Sequence, residues 1–343
     1  MRYWILGILL ALLPSCRKGE VPATTPPEQP DTGDTGVEVR FSAGVTASVV
    51  EQASFSRAPF DGNFLPEGKQ VGVFGLLANI EDDGSYTGGE ALNKNVQENL
   101  SNACYTVTDA SGNMEQDNTA KYPDEGGYNG LVFYGYYPYS SSLQNIGATV
   151  EGNRGVPVEL GEQNRDSEFD YLYTGPIAKK VTLNPVNLSF KHALARIQFK
   201  LSSTATSATK VYNIAAITES PFAETRLMSI KNGDIVDKST STRDYYQYSM
   251  KDEGELLPSA STPLVADLMV YPGIKITSFE LKIGEKYYTL NTSILPIKGT
   301  ITIVNVSFSP IQVSFTQSIA EWVAQGVTNA TIDEETEKVE VTK

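Results

Sequence analysis

Residues 185–201, PVNLSFKHALARIQFKL, form the longest nearly continuous apolar run after the amino-terminal segment, and they contain the single histidine, His192. Successive side chains of a β-strand point to opposite faces of the sheet, so alternate positions share one environment. Apolar residues occupy even positions as far as Leu194 and odd positions from Ala193 onward. This change of phase predicts a strand that is bulged, buried on both faces, or crossing between two packed sheets.

The rest of the chain also reads as β-structure. Its 18 tyrosines and 13 phenylalanines, with frequent Val, Ile and Thr, favour strands over helices. Short apolar or alternating runs follow one another, separated by turn signals such as Asn232-Gly233-Asp234 and Pro272-Gly273. One short helix is predicted at residues 317–324. We therefore expect an all-β fold with two β-sandwich domains in tandem, residues 37–180 and 181–343, with a boundary near residues 178–184.

Composition excludes several classes of function. The 27 basic and 41 acidic residues give a formal charge of −14, which argues against nucleic acid as a partner because phosphate backbones are bound by Lys and Arg. The two cysteines, Cys16 and Cys104, form no CxxC pair and have no histidine cluster near them, so the sequence predicts no metal site and no cofactor. Cys104 is expected to be a small buried hydrophobic residue.

The amino terminus has the features of an export signal. Arg2 precedes an apolar stretch of ten residues, which is too short to span a bilayer but typical of a signal peptide. The stretch ends Leu13-Pro14-Ser15-Cys16, which resembles a bacterial lipobox. We expect residues 1–16 to be a lipoprotein signal peptide, Cys16 to be lipidated in the outer membrane, and the polar residues 17–36 to be a flexible tether.

Catalytic patterns are weak. His192 stands among apolar residues and is expected to be a packed structural residue, so no catalytic residue and no enzymatic activity are predicted. A carboxylate pair of the glycosidase kind is the one enzymatic alternative that the sequence leaves open. The tyrosines of LVFYGYYPY, residues 131–139, offer a different function, because Tyr136 and Tyr137 are candidates for contact with sugar rings.

Several motifs, taken in their order along the chain, resemble the fimbrillin family, the subunits of lipoprotein-derived pili. The motifs are the Cys16 lipobox, Ser56-Arg57-Ala58, VGVFG at 71–75, FYGYYPY at 133–139, FDYLYTG at 169–175, LSFKHALARIQF at 188–199 and IAEW at 319–322. The resemblance implies two transthyretin-like (Greek-key) β-sandwiches and export as a lipoprotein. It also implies proteolytic removal of the first strand and its replacement by the carboxy-terminal strand of a neighbouring subunit.

On this sequence, the removed strand corresponds to residues 37–50 and the processing site to Arg57, with Arg40 as the competitor. The donor strand corresponds to residues 338–342 of the acidic tail with the residues that precede them. A tip or anchor subunit, which need not donate a strand, also fits the sequence. The leading hypothesis is thus a structural or adhesive pilus subunit on the cell surface, whose partners are other fimbrillin subunits and a host or bacterial surface ligand. The alternative is an outer-membrane lipoprotein that binds surface glycans through Tyr136 and Tyr137.

Overall fold

The computed structural model describes residues 36–45, 63–88, 97, 99–123, 127–143, 155–164, 169–205, 208–251, 253–259, 261–309, 313–321 and 335–338. Within these ranges the regular structure consists of strands, with no helix, which confirms the all-β prediction. The strands belong to one compact unit, Gly36–Lys343. The division of this unit into two transthyretin-like sandwiches stays a prediction.

Eleven of the described strands precede residue 193. They are β1 (Phe41–Val45), β2 (Gln70–Ile80), β3 (Tyr86–Thr87), β4 (Ala103–Val107), β5 (Asn113–Glu115), β6 (Gly130–Tyr137), β7 (Val156–Glu159), β8 (Gln163–Asn164), β9 (Leu172–Tyr173), β10 (Ile177–Lys180) and β11 (Val186–His192). The others are β12 (Ala195–Ser203), β13 (Lys210–Ala223), β14 (Thr225–Met228), β15 (Ile235–Asp237), β16 (Thr242–Ser249), β17 (Glu255–Leu256), β18 (Leu264–Val270), β19 (Ile276–Ile283), β20 (Lys286–Ile294), β21 (Thr300–Phe308), β22 (Val313–Glu321) and β23 (Glu335–Lys338).

The largest sheet closes into a ring. Its strand order is β10-β6-β9-β11-β1-β5-β4-β2-β3, and β2 also pairs with β6. A five-stranded sheet has the order β18-β12-β21-β22-β23, and a six-stranded sheet has the order β20-β19-β13-β16-β8. A small sheet, β15-β14-β7, joins a strand from before residue 193 to two from after it.

The apolar run at residues 185–201 is two strands in two different sheets. β11 pairs with β1 and β9 in the ring, and β12 pairs with β18 and β21 in the five-stranded sheet. The bend between them, Ala193 and Leu194, is where the apolar phase changes, so crossing between sheets is the alternative that the structure confirms. β11 lies after the boundary predicted near residues 178–184, yet it belongs to the ring.

Two hydrophobic clusters fill the interior. The smaller cluster lies inside the ring and includes Phe41, Phe133, Leu188 and Phe190. The larger cluster contains the apolar residues of the sheets after residue 193 and the other faces of β2 and β6. Because β6 separates the two clusters, all eight of its residues are buried.

The helix predicted at residues 317–324 is wrong where the structure describes it. β22 continues to Glu321 and pairs with β21 from Thr300 to Phe308. The ladder satisfies the backbone groups of both strands, and this tertiary pairing outweighs the helical spacing of the local sequence. No helix in the part of the chain that the structure describes has the length and apolar character needed to cross a membrane.

His192 is a packed residue, as predicted. Its ring is 0% exposed, and its Nδ1 lies 3.0 Å from the Asp170 carboxylate, which is also buried. Cys104 differs from its prediction, because it is half-buried rather than fully buried and is a free thiol. Partial burial raises the pKa of that thiol, and the charge of Asp117 adds to the effect.

Candidate functional site

The first strand, β1, is an interior member of the ring. It runs parallel to β11, with Phe41 opposite Val186 and Val45 opposite Phe190. On its other side it is antiparallel to β5, with Phe41 opposite Met114. The ring therefore closes through β1, and loss of this strand would leave two sheet edges facing an open slot.

Backbone hydrogen bonds hold the segment from residue 37 to residue 45 on both sides. The Val39 N–H donates to the Ala120 carbonyl at 2.9 Å, and the Tyr122 N–H donates to the Val37 carbonyl at 2.9 Å. Further along, the Ala43 N–H donates to the Gly112 carbonyl at 2.7 Å. The segment is thus bonded like a strand from Val37 onward, earlier than β1 itself begins.

Alternate side chains of this segment fill the ring. Val39, Phe41, Ala43 and Val45 are each at most 5% exposed, whereas Glu38 and Arg40 are exposed. Burial of a side chain the size of Val or Phe contributes roughly 1.5–3 kcal/mol. The segment is therefore held mainly by its inward-facing apolar residues.

Phe41 is the centre of these contacts. Its ring lies 5.0 Å from the ring of Tyr105 and 5.0 Å from that of Phe133, both in edge-to-face geometry. The ring of Tyr122 lies 6.2 Å from that of Phe133, also in edge-to-face geometry. Edge-to-face pairs add to the energy of burial because the positive ring edge meets the negative ring face.

Two tyrosine hydroxyls lie buried in the same cluster. The Tyr105 and Tyr122 hydroxyls have no hydrogen-bond partner within the described residues. Burial raises the pKa of Tyr122 to about 12 and raises that of Tyr105 further, with a contribution from the charge of Glu38. Both hydroxyls thus stay protonated across the physiological pH range.

The turn that supports β1 from the β5 side is built by one carboxylate. Asp109 accepts hydrogen bonds from the backbone N–H groups of Ser111 and Asn113 and from the Asn113 side chain. The bond from the Asn113 side chain is the largest cause of the lowered pKa of Asp109. Gly112 takes a φ of +76°, and a Cβ there would lie 2.7 Å from the Ala43 carbonyl oxygen. Only glycine fits so close to β1 in this conformation.

Of the residues predicted for processing and lipidation, one lies within the described part of the chain and the others lie outside it. Cys16, Arg57 and residues 46–50 of the predicted first strand lie outside the described residues. Arg40 is described: it directly precedes β1, its side chain is 64% exposed, and its carbonyl accepts the Val186 N–H at 2.7 Å. Its backbone is therefore engaged in the sheet.

The two tyrosines predicted to contact sugars are buried. Tyr136 is 0% exposed and Tyr137 is 6% exposed, since β6 lies between the two hydrophobic clusters. The Tyr136 hydroxyl donates to Asn102 Oδ1 at 2.6 Å and receives the Ser140 N–H at 3.1 Å. Neither ring offers a face to a ligand, so the sequence-based expectation of a sugar platform at these residues is wrong.

This burial makes a specific prediction for Tyr136. We expect Tyr136→Phe to lower the free energy of unfolding by about 1–3 kcal/mol, because Asn102 and the backbone of Ser140 lose a buried partner. Urea unfolding followed by tyrosine fluorescence measures the change. Tyr139→Phe is the control, because Tyr139 is half-buried and lies outside β6; an equal loss in both variants would contradict this account of Tyr136.

The carboxy-terminal strand β23 lies at the edge of the five-stranded sheet. It pairs only with β22 among the described strands, with Ser314 opposite Lys338 and Gln317 opposite Glu335. Of the predicted donor segment 338–342, Lys338 alone is described. β23 as a whole, including Lys338, is thus held by one neighbour through four residue pairs.

Comparison with known proteins identifies relatives of this architecture. The model of the fimbrillin-like family matches residues 56–322, most of the chain. A candidate cell adhesion protein from Bacteroides ovatus has a similar solved structure, with a TM-score of 0.55 and 15% identity over 85% of this chain and 99% of that one. Another, from Bacteroides uniformis, has a TM-score of 0.52 and 15% identity over 83% of this chain and 98% of that one. At this identity the two structures show a shared fold. No curated protein matches the sequence.

Proposed function

This chain belongs to the fimbrillin-like family, and we propose that it is a structural, non-catalytic subunit of a pilus built from lipoprotein precursors. Subunits join when the first strand of one copy is removed and the carboxy-terminal segment of another takes its place. The observation that carries the proposal is the position of β1 inside the closed ring. This strand has two hydrogen-bonded neighbours, and together with Val39 just before it the segment buries four apolar side chains. Its removal leaves a slot that only another strand can fill.

The sequence of the tail supports its role as the replacement strand. Residues 37–39 and residues 339–341 are both Val-Glu-Val. In the first segment Val39 is buried, Val37 packs on the smaller cluster inside the ring, and Glu38 is exposed opposite Lys121. A tail that enters in the same register places two valines inward and a glutamate outward, as the first segment does. The interface runs head to tail and does not close, so it extends into a filament.

The processing site follows from the same arrangement. Arg40 lies within the hydrogen-bonded segment, and a protease needs an extended, accessible backbone that this segment does not provide without local unfolding. Cleavage after Arg40 would also cut the segment just before Phe41 and leave β1 attached to the body. We therefore assign processing to Arg57, which follows β1 in the chain.

Export and anchoring complete the proposal. Lipidation of Cys16 attaches the precursor to the outer membrane, and residues 17–36 hold the body away from the lipid. Two or more acyl chains are needed for stable anchoring, since one chain binds a membrane only weakly. Processing at Arg57 then releases the subunit from its anchor together with its first strand.

Limited digestion tests the processing site. We expect brief trypsin treatment of the full chain carrying Cys16→Ser to give a product that begins at Ala58, because residues 56–58 follow the strand that has to be released. Intact-mass measurement identifies the cut. Arg57→Gln should abolish this product, and Arg40→Gln should leave it unchanged. A folded protein that resists cleavage at Arg57, or that is cut first at Arg40, would reject this part of the proposal.

A further inference from the structure

β11 has a second neighbouring strand, β9, on the side away from β1. There it pairs with β9 only at Lys191 and His192. The chain then leaves the ladder through Gly175, with a φ of 73°, and Pro176, which has no N–H to donate. Beyond this point β10 runs alongside β6 and β11 runs alongside β1, so the two strands separate. A cleft of about 790 Å³ lies between β10 and β11.

Two strand edges border the cleft. Some of their backbone groups form no ladder hydrogen bond with another described strand. Val186 donates its N–H to the Arg40 carbonyl, so by alternation Asn187 and Ser189 direct their backbone groups into the cleft. On the opposite wall, Val181 donates to Asn129, so the backbone of Ala178 faces away from β6. An extended peptide is the ligand that such edges recognise.

The charge of the cleft is opposite to that of the chain. Lys179, Lys180 and Lys191 line it, and no carboxylate of the described residues does. Lys180 is paired with Asp82 at 2.5 Å, whereas Lys179 and Lys191 form no ion pair with any described residue. On a protein of net charge −14 this is a local positive site, and it favours an acidic ligand. Within the part of the chain that the structure describes, no aromatic side chain lines the cleft, which disfavours a sugar ring.

We propose that this cleft binds residues 333–337, Asp-Glu-Glu-Thr-Glu, from a second copy of the chain as an extended acidic strand. The segment carries four carboxylates within five residues, which complements the lysines. Part of it lies in β23, a sheet edge held by one neighbour, so little has to be broken to release it. The proposal rests on the proposed function in taking a second copy as partner, but the cleft is separate from the slot that β1 fills.

A peptide titration tests the cleft on the intact protein. A labelled peptide of residues 331–343 is titrated into the full, uncut chain carrying Cys16→Ser, and fluorescence anisotropy is read at about 50 mM salt. We expect saturable binding that the double variant Lys179→Glu/Lys191→Glu weakens by about tenfold or more. The matched control, Lys251→Glu/Lys286→Glu, makes the same charge change at exposed lysines outside the cleft and should bind within about twofold of wild type.

Three results would overturn the proposal. They are no binding to the uncut chain, equal binding by the cleft and control variants, and equal binding by a peptide whose four acidic residues at 333–337 are amides. A uronic acid oligosaccharide that binds the cleft while the peptide does not would assign the site to anionic glycans instead. Because the uncut chain retains β1, this titration reports on the cleft alone. Uptake of the peptide by the cut chain, unaffected by the lysine changes, would leave the proposed function standing while the cleft proposal fails.

Discussion

Replacement of Phe41 by alanine is expected to lower the free energy of unfolding by about 3–5 kcal/mol. Phe41 is 2% exposed and contacts Tyr105 and Phe133 edge to face, so its removal leaves a cavity in the middle of the ring. The strands around that cavity belong to a closed sheet and have little freedom to collapse into it. Urea titration of the uncut chain carrying Cys16→Ser measures the loss.

Ser42→Ala is the matched control, because Ser42 is the neighbouring residue of the same strand and is only half-buried. We expect it to change the free energy of unfolding by less than about 0.5 kcal/mol. A Phe41→Ala variant as stable as the control would mean that β1 contributes little to the ring. In that case the slot would not need a replacement strand, and the proposed assembly would lose its driving force.

The second large effect concerns assembly. After cleavage at Arg57, we expect Val341→Asp to abolish the oligomers that the cut wild-type chain forms. In the proposed register Val341 occupies the position of Val39, which is 4% exposed, and an unpaired carboxylate buried there carries a penalty of several kcal/mol. Size-exclusion chromatography with light scattering measures the mass of the cut protein.

Thr342→Asp provides the control for this experiment. It adds the same charge one residue later, at the position of Arg40, which is exposed. We expect the cut Thr342→Asp chain to form oligomers like the wild type. Equal loss in both variants would indicate a general effect of charge on the tail, and unchanged assembly in both would remove the tail from the interface.

The sequence predicted the architecture well where burial alternates cleanly. The phase change at Ala193 and Leu194 follows directly from which side chains are apolar, and it marks the crossing from the ring to the five-stranded sheet. It does not reveal which sheet each half joins. That depends on pairing partners more than a hundred residues away, such as β1 for β11 and β21 for β12.

Two elements differ from the prediction for a different reason. The alternation of residues 131–139 predicts that some tyrosines of β6 face the exterior, yet both faces are covered because the strand lies between two hydrophobic clusters. The sequence predicts a helix at residues 317–324, yet β21 pairs with this part of the chain as far as Glu321 and makes it a strand. The local sequence pattern shows how apolar each face of a strand or helix is, but it does not show what packs on that face.

The candidate site was only partly predictable. The inward alternation of the first segment, from Val37 to Val45, could be read from the sequence, and the structure places those residues in the ring. The cleft beside β11 could not be predicted from the sequence. Lys179 lies in β10 and Lys191 in β11, and these strands lie apart after the chain passes Pro176. A geometric separation of this kind leaves no local signature apart from the Gly175-Pro176 pair.

In the proposed assembly, Val341 of one copy takes the place of Val39 in another. The Val39 N–H bonds to the Ala120 carbonyl, so a cysteine at position 120 lies opposite that place. Two variants, each with Cys16→Ser and Cys104→Ala, carry Ala120→Cys or Val341→Cys, and they are cut at Arg57, mixed and oxidised. Replacement by a second copy predicts a disulfide-linked heterodimer that forms after cutting and not before, with a 120–341 linkage identified by peptide mass spectrometry. Cut, folded protein that forms no such linkage, or uncut protein that forms it equally well, would contradict the account.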